Sequence, residues 1–147
     1  MSKWQAAADT LLRESGASVT KYRRSMSGVA FTGPLTERGS KVEIEAPEPK
    51  GPISFAIFAH EIGHQVLHRD NGRTPRWKEE VEAWEFALKA VQRFDLPGYE
   101  RVEARAARSI AYAFRKARRR GVEVDTIKNA YPVWWKRALE TDWLWLI

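Results

Sequence analysis

The chain has 147 residues, of which 44% are hydrophobic and 30% are charged, and it carries a net charge of +6 with an isoelectric point near 9.8. That length fits one ordinary domain, and that hydrophobic share excludes an intrinsically disordered chain. The chain has no cysteine, which excludes disulfides and thiolate metal ligands, and it has no apolar run typical of a membrane span or a signal peptide. We therefore expect a cytoplasmic protein that does not enter a membrane.

The first third of the sequence predicts a helix followed by a small sheet. Ser2 and Gln5 form a capping-box pattern, and apolar residues recur at helical spacing as far as Gly16, so we expect a helix over about 3–15. Between 18 and 49, short stretches such as SGVAFTG and KVEIEAP are separated by turn residues. The second stretch alternates apolar and charged side chains, which indicates an antiparallel sheet with one face in water.

Three helices are predicted to follow the sheet. The first covers about 53–69 and is closed by Asn71 and Gly72, the second begins after Thr74 as its N-cap, and the third covers about 99–120. Helical periodicity predicts which side chains of the last two helices face the core. These are Val81, Trp84, Leu88 and Val91 in the second helix, and Val102, Ala106, Ile110, Ala113 and Ala117 in the third.

Positive charge is concentrated in residues 101–120, which contain eight arginines or lysines against Glu103 alone, a net charge of +7. Such a helix can attract nucleic acid or an acidic partner, or it can be a solvated face whose arginines favour the helix C-terminus. Four of the seven tryptophans follow it. We expect this tail to pack into the core, and its members are Trp134, Trp135, Trp143 and Trp145.

All three histidines lie in the stretch HEIGHQVLH, residues 60–68. On a helix, His60 and His64 are one turn apart on the same face, so their imidazoles converge as in an HExxH metal site. A catalytic zinc takes three protein ligands and keeps one open position. Because the chain has no cysteine and no other histidine, a carboxylate is the expected third ligand. His68 is a poor choice, since it lies roughly 12 Å along the helix from His60, and we expect it to pack beside the helix.

Gly63 stands between the two predicted ligands, although glycine costs about 1 kcal/mol relative to alanine inside a helix. A glycine at this position lets another element approach the helix closely. We expect that element to be the next helix, which is rich in glutamate.

This next helix contains EAWEFA, residues 82–87. Together with FAHEIGHQVLH, it makes the region from about 28 to 97 resemble the ImmA/IrrE family of zinc metallopeptidases, in which a downstream helix with an E-A-x-x-F-A-like pattern supplies the third ligand. The resemblance points to Glu82. Glu79 is the alternative, because it lies nearly one turn earlier on a similar face. Trp84 stands where the family often has asparagine.

The sequence and the resemblance together imply a zincin-like α+β fold. We expect one domain over residues 1–147, mostly helical, with a small antiparallel sheet packed on the HExxH helix, and with 98–147 as a basic, tryptophan-rich helical extension of the same domain. The resemblance further implies Zn²⁺ held by His60, His64 and Glu82, with Glu61 as the general base that takes a proton from water and passes it to the leaving amine.

The resemblance also implies a narrow protein substrate, typically a helix-turn-helix repressor, often in a mobile element. An exposed strand edge in the 29–46 region is predicted to hold such a substrate in extended form. Tyr99, Tyr112 and Tyr131 are all candidates for stabilising an oxyanion, and the sequence favours none of them. The alternative hypothesis is a regulatory module, anti-restriction or toxin-like, that binds nucleic acid through the 101–120 helix or binds a protein, with a structural or latent metal site.

Overall fold

A computed structural model describes residues 1–36, 39–68 and 73–142. Within these ranges the fold is a mostly helical α+β arrangement, as predicted, and no described helix is long and apolar enough to cross a membrane. The helices and strands in chain order are α1 (Lys3–Ser15), β1 (Ser18–Arg23), β2 (Val29–Thr36), β3 (Gly39–Pro47), α2 (Pro52–Leu67), α3 (Arg76–Arg93), α4 (Tyr99–Arg119), α5 (Val124–Ala130) and α6 (Pro132–Asp142).

Helix α1 begins and ends where the sequence predicts. The Ser2 hydroxyl accepts from the Gln5 backbone amide at 3.2 Å, and the Gln5 side chain accepts from the Ser2 amide at 3.3 Å, which completes the capping box. Gly16 has φ 71°, and this left-handed conformation ends the helix. The helix packs on α2 and buries Trp4, Ala7, Ala8 and Leu11.

The sheet is mixed, so the prediction of an antiparallel sheet is wrong for one of its two strand pairs. Strand β3 lies in the middle, pairs in parallel with β1 and pairs antiparallel with β2. Alternation of side chains predicts which face of a strand is wet, but it does not encode the direction of the neighbouring strand. Residues 24–28 carry the chain past β3, and as a result β2 forms one edge of the sheet.

Helix α2 is the centre of the fold. Residues 54–65 are buried without interruption, and a helix that is covered on all sides is a core element. It packs against α1, α3, α4, β2 and β3. The helix ends at Leu67, with His68 as its C-cap. Asn71 and Gly72, predicted to close it, lie outside the described residues.

Helices α3 and α4 present the predicted faces to the core, since all nine side chains assigned to the two apolar stripes are buried. The predicted N-cap of α3 is wrong, because Pro75 occupies that position and Thr74 lies two residues before Arg76, the first residue of the helix. Helix α4 packs against both α3 and α6. Trp135 is buried in the same hydrophobic core and Trp134 packs against it, whereas Trp143 and Trp145 lie outside the described residues.

Candidate metal centre

Helices α2 and α3 approach each other closely at Gly63. A Cβ atom built on Gly63 would lie 3.1 Å from three side-chain atoms of Phe86, including its Cβ, which is tighter than ordinary van der Waals contact. The prediction that this glycine admits the following helix is therefore confirmed. The close approach brings the carboxylates of α3 within reach of the HExxH imidazoles.

One carboxylate bridges the two predicted histidine ligands. His60 Nε2 lies 3.1 Å from Glu80 Oε2, and His64 Nε2 lies 3.0 Å from Glu80 Oε1. Both histidines are buried, and the Glu80 side chain is 16% exposed. Arg76, one turn earlier on α3, contacts Glu80 Oε1 at 2.9 Å. Two imidazoles and one carboxylate thus face a common point at the edge of the core.

The carboxylate at this point is Glu80, whereas the resemblance pointed to Glu82. Glu82 instead accepts from His68 Nε2 at 2.8 Å, and Glu79 lies 3.7 Å from His68 Nδ1. The difference follows from helical phase, because residues two apart lie about 200° from each other around the helix axis. Glu80 is one turn before Trp84 and shares its buried face, whereas the Glu82 side chain is 42% exposed.

The position of Glu80 beside the apolar stripe of α3 is a signal in the sequence that the family motif does not include. The buried stripe of α3 extends back towards its first turn, and Glu80 lies beside that stripe next to Val81. An acidic residue on an otherwise apolar face is unusual unless it is paired or binds a metal. This position distinguishes Glu80 from its neighbours without reference to any family.

Trp84 packs against His60, the first of the two predicted histidine ligands. Its indole ring lies against the His60 imidazole with ring centroids 4.5 Å apart and planes inclined by 34°. His60 and His64 contact each other edge to face, also with centroids 4.5 Å apart. These contacts restrict the imidazole rotamers, so the nitrogen atoms are held in position by packing.

The Glu80 carboxylate and the imidazoles of His60 and His64 shift one another's pKa. Burial alone would raise the pKa of Glu80, but hydrogen bonds from His60 and His64 hold it far below its usual value. Burial lowers the pKa of His60, yet the hydrogen bonds and charges of Glu61 and Glu80 outweigh burial and raise it. For His64 burial prevails and the pKa is lowered. The carboxylate is therefore ionised and anchors the pair.

A second line of hydrogen bonds runs outwards from His64. Its Nδ1 lies 3.1 Å from His68 Nδ1, and His68 Nε2 lies 2.8 Å from Glu82. When His64 Nε2 serves as a metal ligand, His64 Nδ1 can donate to His68, and His68 can donate to Glu82. Such outer partners fix the tautomer and the orientation of a ligating imidazole. His68 therefore lies outside the set formed by His60, His64 and Glu80, although His64, His68 and Glu79 form a second close group.

The donor set fits zinc. The three donor atoms of His60, His64 and Glu80 lie within 4.8 Å of one another. Donors about 2.0–2.2 Å from a tetrahedral zinc lie about 3.3–3.6 Å apart, so the nitrogen–oxygen separations of 3.0 and 3.1 Å require only a small adjustment. Two histidines with one glutamate, and no cysteine in the chain, make an N and O ligand set that leaves a fourth position open.

Glu61 lies beside this group and lines a cavity of about 180 Å³. Its carboxylate accepts from His60 Nδ1 at 3.0 Å, and the side chain is only 7% exposed. The cavity is also lined by Gly28 and by Val29 and Ala30 at the start of β2. The cavity thus brings the predicted general base, one of the two HExxH histidines and a strand edge together.

Replacing Gly28 with alanine should lower the free energy of unfolding by about 1–3 kcal/mol through overpacking. A Cβ atom there would lie 2.7 Å from Glu61 Cγ and 2.9 Å from the Glu45 carbonyl oxygen, and the backbone atom cannot rotate away. Urea unfolding measures the change. Gly51→Ser is the control, because a Cβ there meets nothing within 4 Å and serine is a good N-cap for α2. Equal stabilities of the two variants would contradict the close contact.

Comparisons of the chain with family models, with curated proteins and with solved structures found no match. The structure places the buried His60 and His64 and the partly buried Glu80 within metal-binding distance of one another.

Proposed function

We propose that this protein is a zinc-dependent metallopeptidase that hydrolyses a specific protein substrate. The observation that carries the proposal is the single carboxylate, Glu80, bridging the Nε2 atoms of both HExxH histidines beside a cavity lined by Glu61. This arrangement combines three metal ligands, a separate carboxylate that does not bind the metal, and room for a substrate. A site that only stabilises the fold has four protein ligands and no need of the last two features.

Zinc, when bound, lowers the pKa of water towards about 7 and polarises a carbonyl group. Glu61 then acts as the general base that accepts the proton of the attacking water and delivers it to the leaving nitrogen. The Glu61 side chain is only 7% exposed, so this proton transfer takes place largely out of contact with bulk water. Gly28 leaves the Glu61 side chain room in the cavity, because any larger residue would collide with it.

The edge strand β2 supplies a place for an extended substrate. Its first residues, Val29 and Ala30, line the Glu61 cavity, and among the described strands β2 pairs with β3 alone. A peptide added to this edge would gain main-chain hydrogen bonds and run past the ligand group. The region predicted from the sequence for this role, 29–46, includes β2, whose first residues line the same cavity as Glu61.

Hydrogen exchange tests this substrate position. A short peptide hydroxamate, added in excess to the zinc-loaded protein, should slow amide exchange in β2 by about tenfold or more, since the bound backbone pairs with the strand. Strand β1 is the matched control, because it forms the opposite edge of the same sheet and is distant from Glu61 in the pairing order. Equal protection of β1 and β2, or protection of neither strand while the inhibitor is bound, would reject the edge as the peptide site.

None of the three tyrosines considered for oxyanion stabilisation lines the Glu61 cavity. Tyr131 instead packs edge to face with Trp77, and burial together with the charges of Glu82 and Glu85 raises its pKa to about 12. Arg76 does line the cavity, and we assign it the role of stabilising negative charge on the substrate oxygen.

The activity itself is tested by amino-terminal sequencing of a digested proteome. Zinc-loaded protein incubated with soluble proteins from a bacterial extract should generate a small set of new amino termini that share a sequence preference. The same protein stripped of metal with a chelator should generate none of them, and restored zinc should return them. New termini that persist after chelation would indicate a contaminating peptidase, and their complete absence with zinc bound would count against hydrolysis of bacterial proteins.

The alternative, a nucleic-acid-binding module, has weaker support in the fold. Trp135 is buried and Trp134 packs against the core, so these two side chains are not arranged as a platform for stacking bases. The basic face of α4 is the remaining feature that could attract nucleic acid, but its concave shape favours a ligand other than nucleic acid.

A further inference from the structure

A second concave surface, which we call the basic cleft, lies between the start of α3 and the part of α4 that begins at Arg105, together with Arg120 and Val122 beyond its end. Its volume is about 650 Å³. Five cations and one acidic residue line it: Arg76, Arg105, Arg108, Lys116 and Arg120 on one hand, and Glu80 on the other. The remaining wall is largely apolar and includes Trp77, Ala113, Ala117 and Val122. The cleft therefore combines apolar side chains with several positive charges, and it shares Glu80 with the candidate metal centre.

Most of these cations are not neutralised within the described part of the protein. Arg76 pairs with Glu80, but Arg105, Arg108, Lys116 and Arg120 contact no described carboxylate. Arg105 donates to the Ser109 hydroxyl and lies over the Trp84 ring, 5.6 Å from its centre, both uncharged partners. The cluster is thus held in place by groups that leave its charge available.

Helix stability does not explain this arrangement. Cations favour the last turn of a helix, but Arg105 and Arg108 lie in the middle of α4, between Tyr99 and Arg119. Like charges three or four residues apart, such as Arg105 with Arg108, destabilise a helix. Burial, together with the charge of Arg108, lowers the pKa of Arg105, which indicates that the pair lacks a counter-charge. A bound anion would remove both costs.

The shape of the cleft favours acidic side chains over a nucleic-acid duplex. Its volume falls within the range of about 300–1,000 Å³ found for pockets that take small groups. A helix that reads a duplex projects into the groove, whereas this face of α4 lines a cleft with α3 as the other wall. Arg76 lines both the basic cleft and the Glu61 cavity, so a peptide crossing the metal centre passes directly from one into the other.

We propose that the basic cleft binds acidic side chains of the substrate on one side of the scissile bond, and so selects proteins with aspartate or glutamate at that position. The proposal rests on the proposed peptidase function, because it is that function which brings an extended peptide across Glu80. Arginines suit this role, since a guanidinium pairs with a carboxylate through two parallel hydrogen bonds.

The test uses fluorescence anisotropy with three probes of equal length: a pentaglutamate peptide, a pentaglutamine peptide and a pentathymidylate oligonucleotide, each labelled with fluorescein. The protein is the full chain with zinc. The cleft variant is Arg108→Gln with Lys116→Gln, and the control is Lys89→Gln with Arg101→Gln. All four residues are exposed, the control pair lies outside the cleft lining, and both variants lose two positive charges.

We expect pentaglutamate to bind more tightly than pentaglutamine, with affinity at least about tenfold weaker in the cleft variant and within about twofold of wild type in the control. Equal losses in the two variants would reduce the effect to net charge and overturn the proposal. Tighter binding of the oligonucleotide, lost selectively in the cleft variant, would assign the cleft to nucleic acid. If the protein binds pentaglutamate selectively but generates no new amino termini, the cleft would still be a site for acidic side chains, and the proposed peptidase function would be rejected.

Discussion

Replacing Glu80 with alanine should remove the zinc, whereas replacing Glu82 with alanine should leave about one zinc per chain. Glu80 supplies the carboxylate whose two oxygens face His60 and His64, so its loss leaves two ligands where a stable site needs at least three. We expect the affinity to fall by more than the roughly 10- to 100-fold typical of outer hydrogen-bond partners. Glu82 is such an outer partner, since it reaches the site only through His68.

Elemental analysis of the purified proteins, dialysed side by side, measures this difference. Glu79→Ala is a second control, because Glu79 precedes Glu80 on the same turn yet contacts only His68 among the described histidines. Circular dichroism must show that the Glu80→Ala protein is folded, since the change leaves two buried imidazoles without their acceptor. Retention of zinc by folded Glu80→Ala, with its loss from Glu82→Ala, would return the assignment to the residue that the family resemblance indicated.

The helical part of the fold could be predicted from the sequence because its signals are local. The capping box at Ser2 fixes the start of α1, and periodicity identifies the buried stripes of α3 and α4. The HExxH spacing places His60 and His64 on one face for the same reason. Gly63 carried non-local information as well, because a costly glycine inside a helix indicates the close approach of another element, which is Phe86 of α3.

The features that could not be predicted depend on how elements are rotated or ordered in space. The choice among Glu79, Glu80 and Glu82 depends on the rotation of α3 about its axis, and a motif pattern does not fix that angle as well as the apolar stripe does. The direction of β1 relative to β3 depends on the path of residues 24–28, which connect β1 to β2 on the far side of β3. The alternation of side chains along a strand does not encode that path. The basic cleft likewise forms only when α3 covers one side of α4.

Replacing Glu61 with glutamine should abolish hydrolysis while zinc remains bound. The amide has nearly the shape of the carboxylate but cannot accept a proton, so the step that activates water loses its base. General base catalysis contributes about 10²- to 10⁴-fold, which corresponds to roughly 3–5 kcal/mol of barrier height. Glu61 is not among the donors that face the common point between His60, His64 and Glu80, so the zinc content should stay near that of wild type. The Glu61→Gln protein is thus expected to lose its hydrolysis rate and keep its zinc, whereas Glu80→Ala loses both.

Adding Gln65→Glu to Glu61→Gln shows whether the loss of activity is specific to position 61. Gln65 is buried one turn further along α2 and lines the same cavity, so the change places a carboxylate in the cavity at a different position. If a carboxylate in the cavity were sufficient, the double variant Glu61→Gln with Gln65→Glu would regain activity. We expect it to stay inactive, because proton transfer requires the base within hydrogen-bond reach of the attacking water. A Glu61→Gln protein that still cleaves its substrate at the wild-type rate would exclude Glu61 as the base, and the zinc site would then need a role other than peptide hydrolysis through this carboxylate.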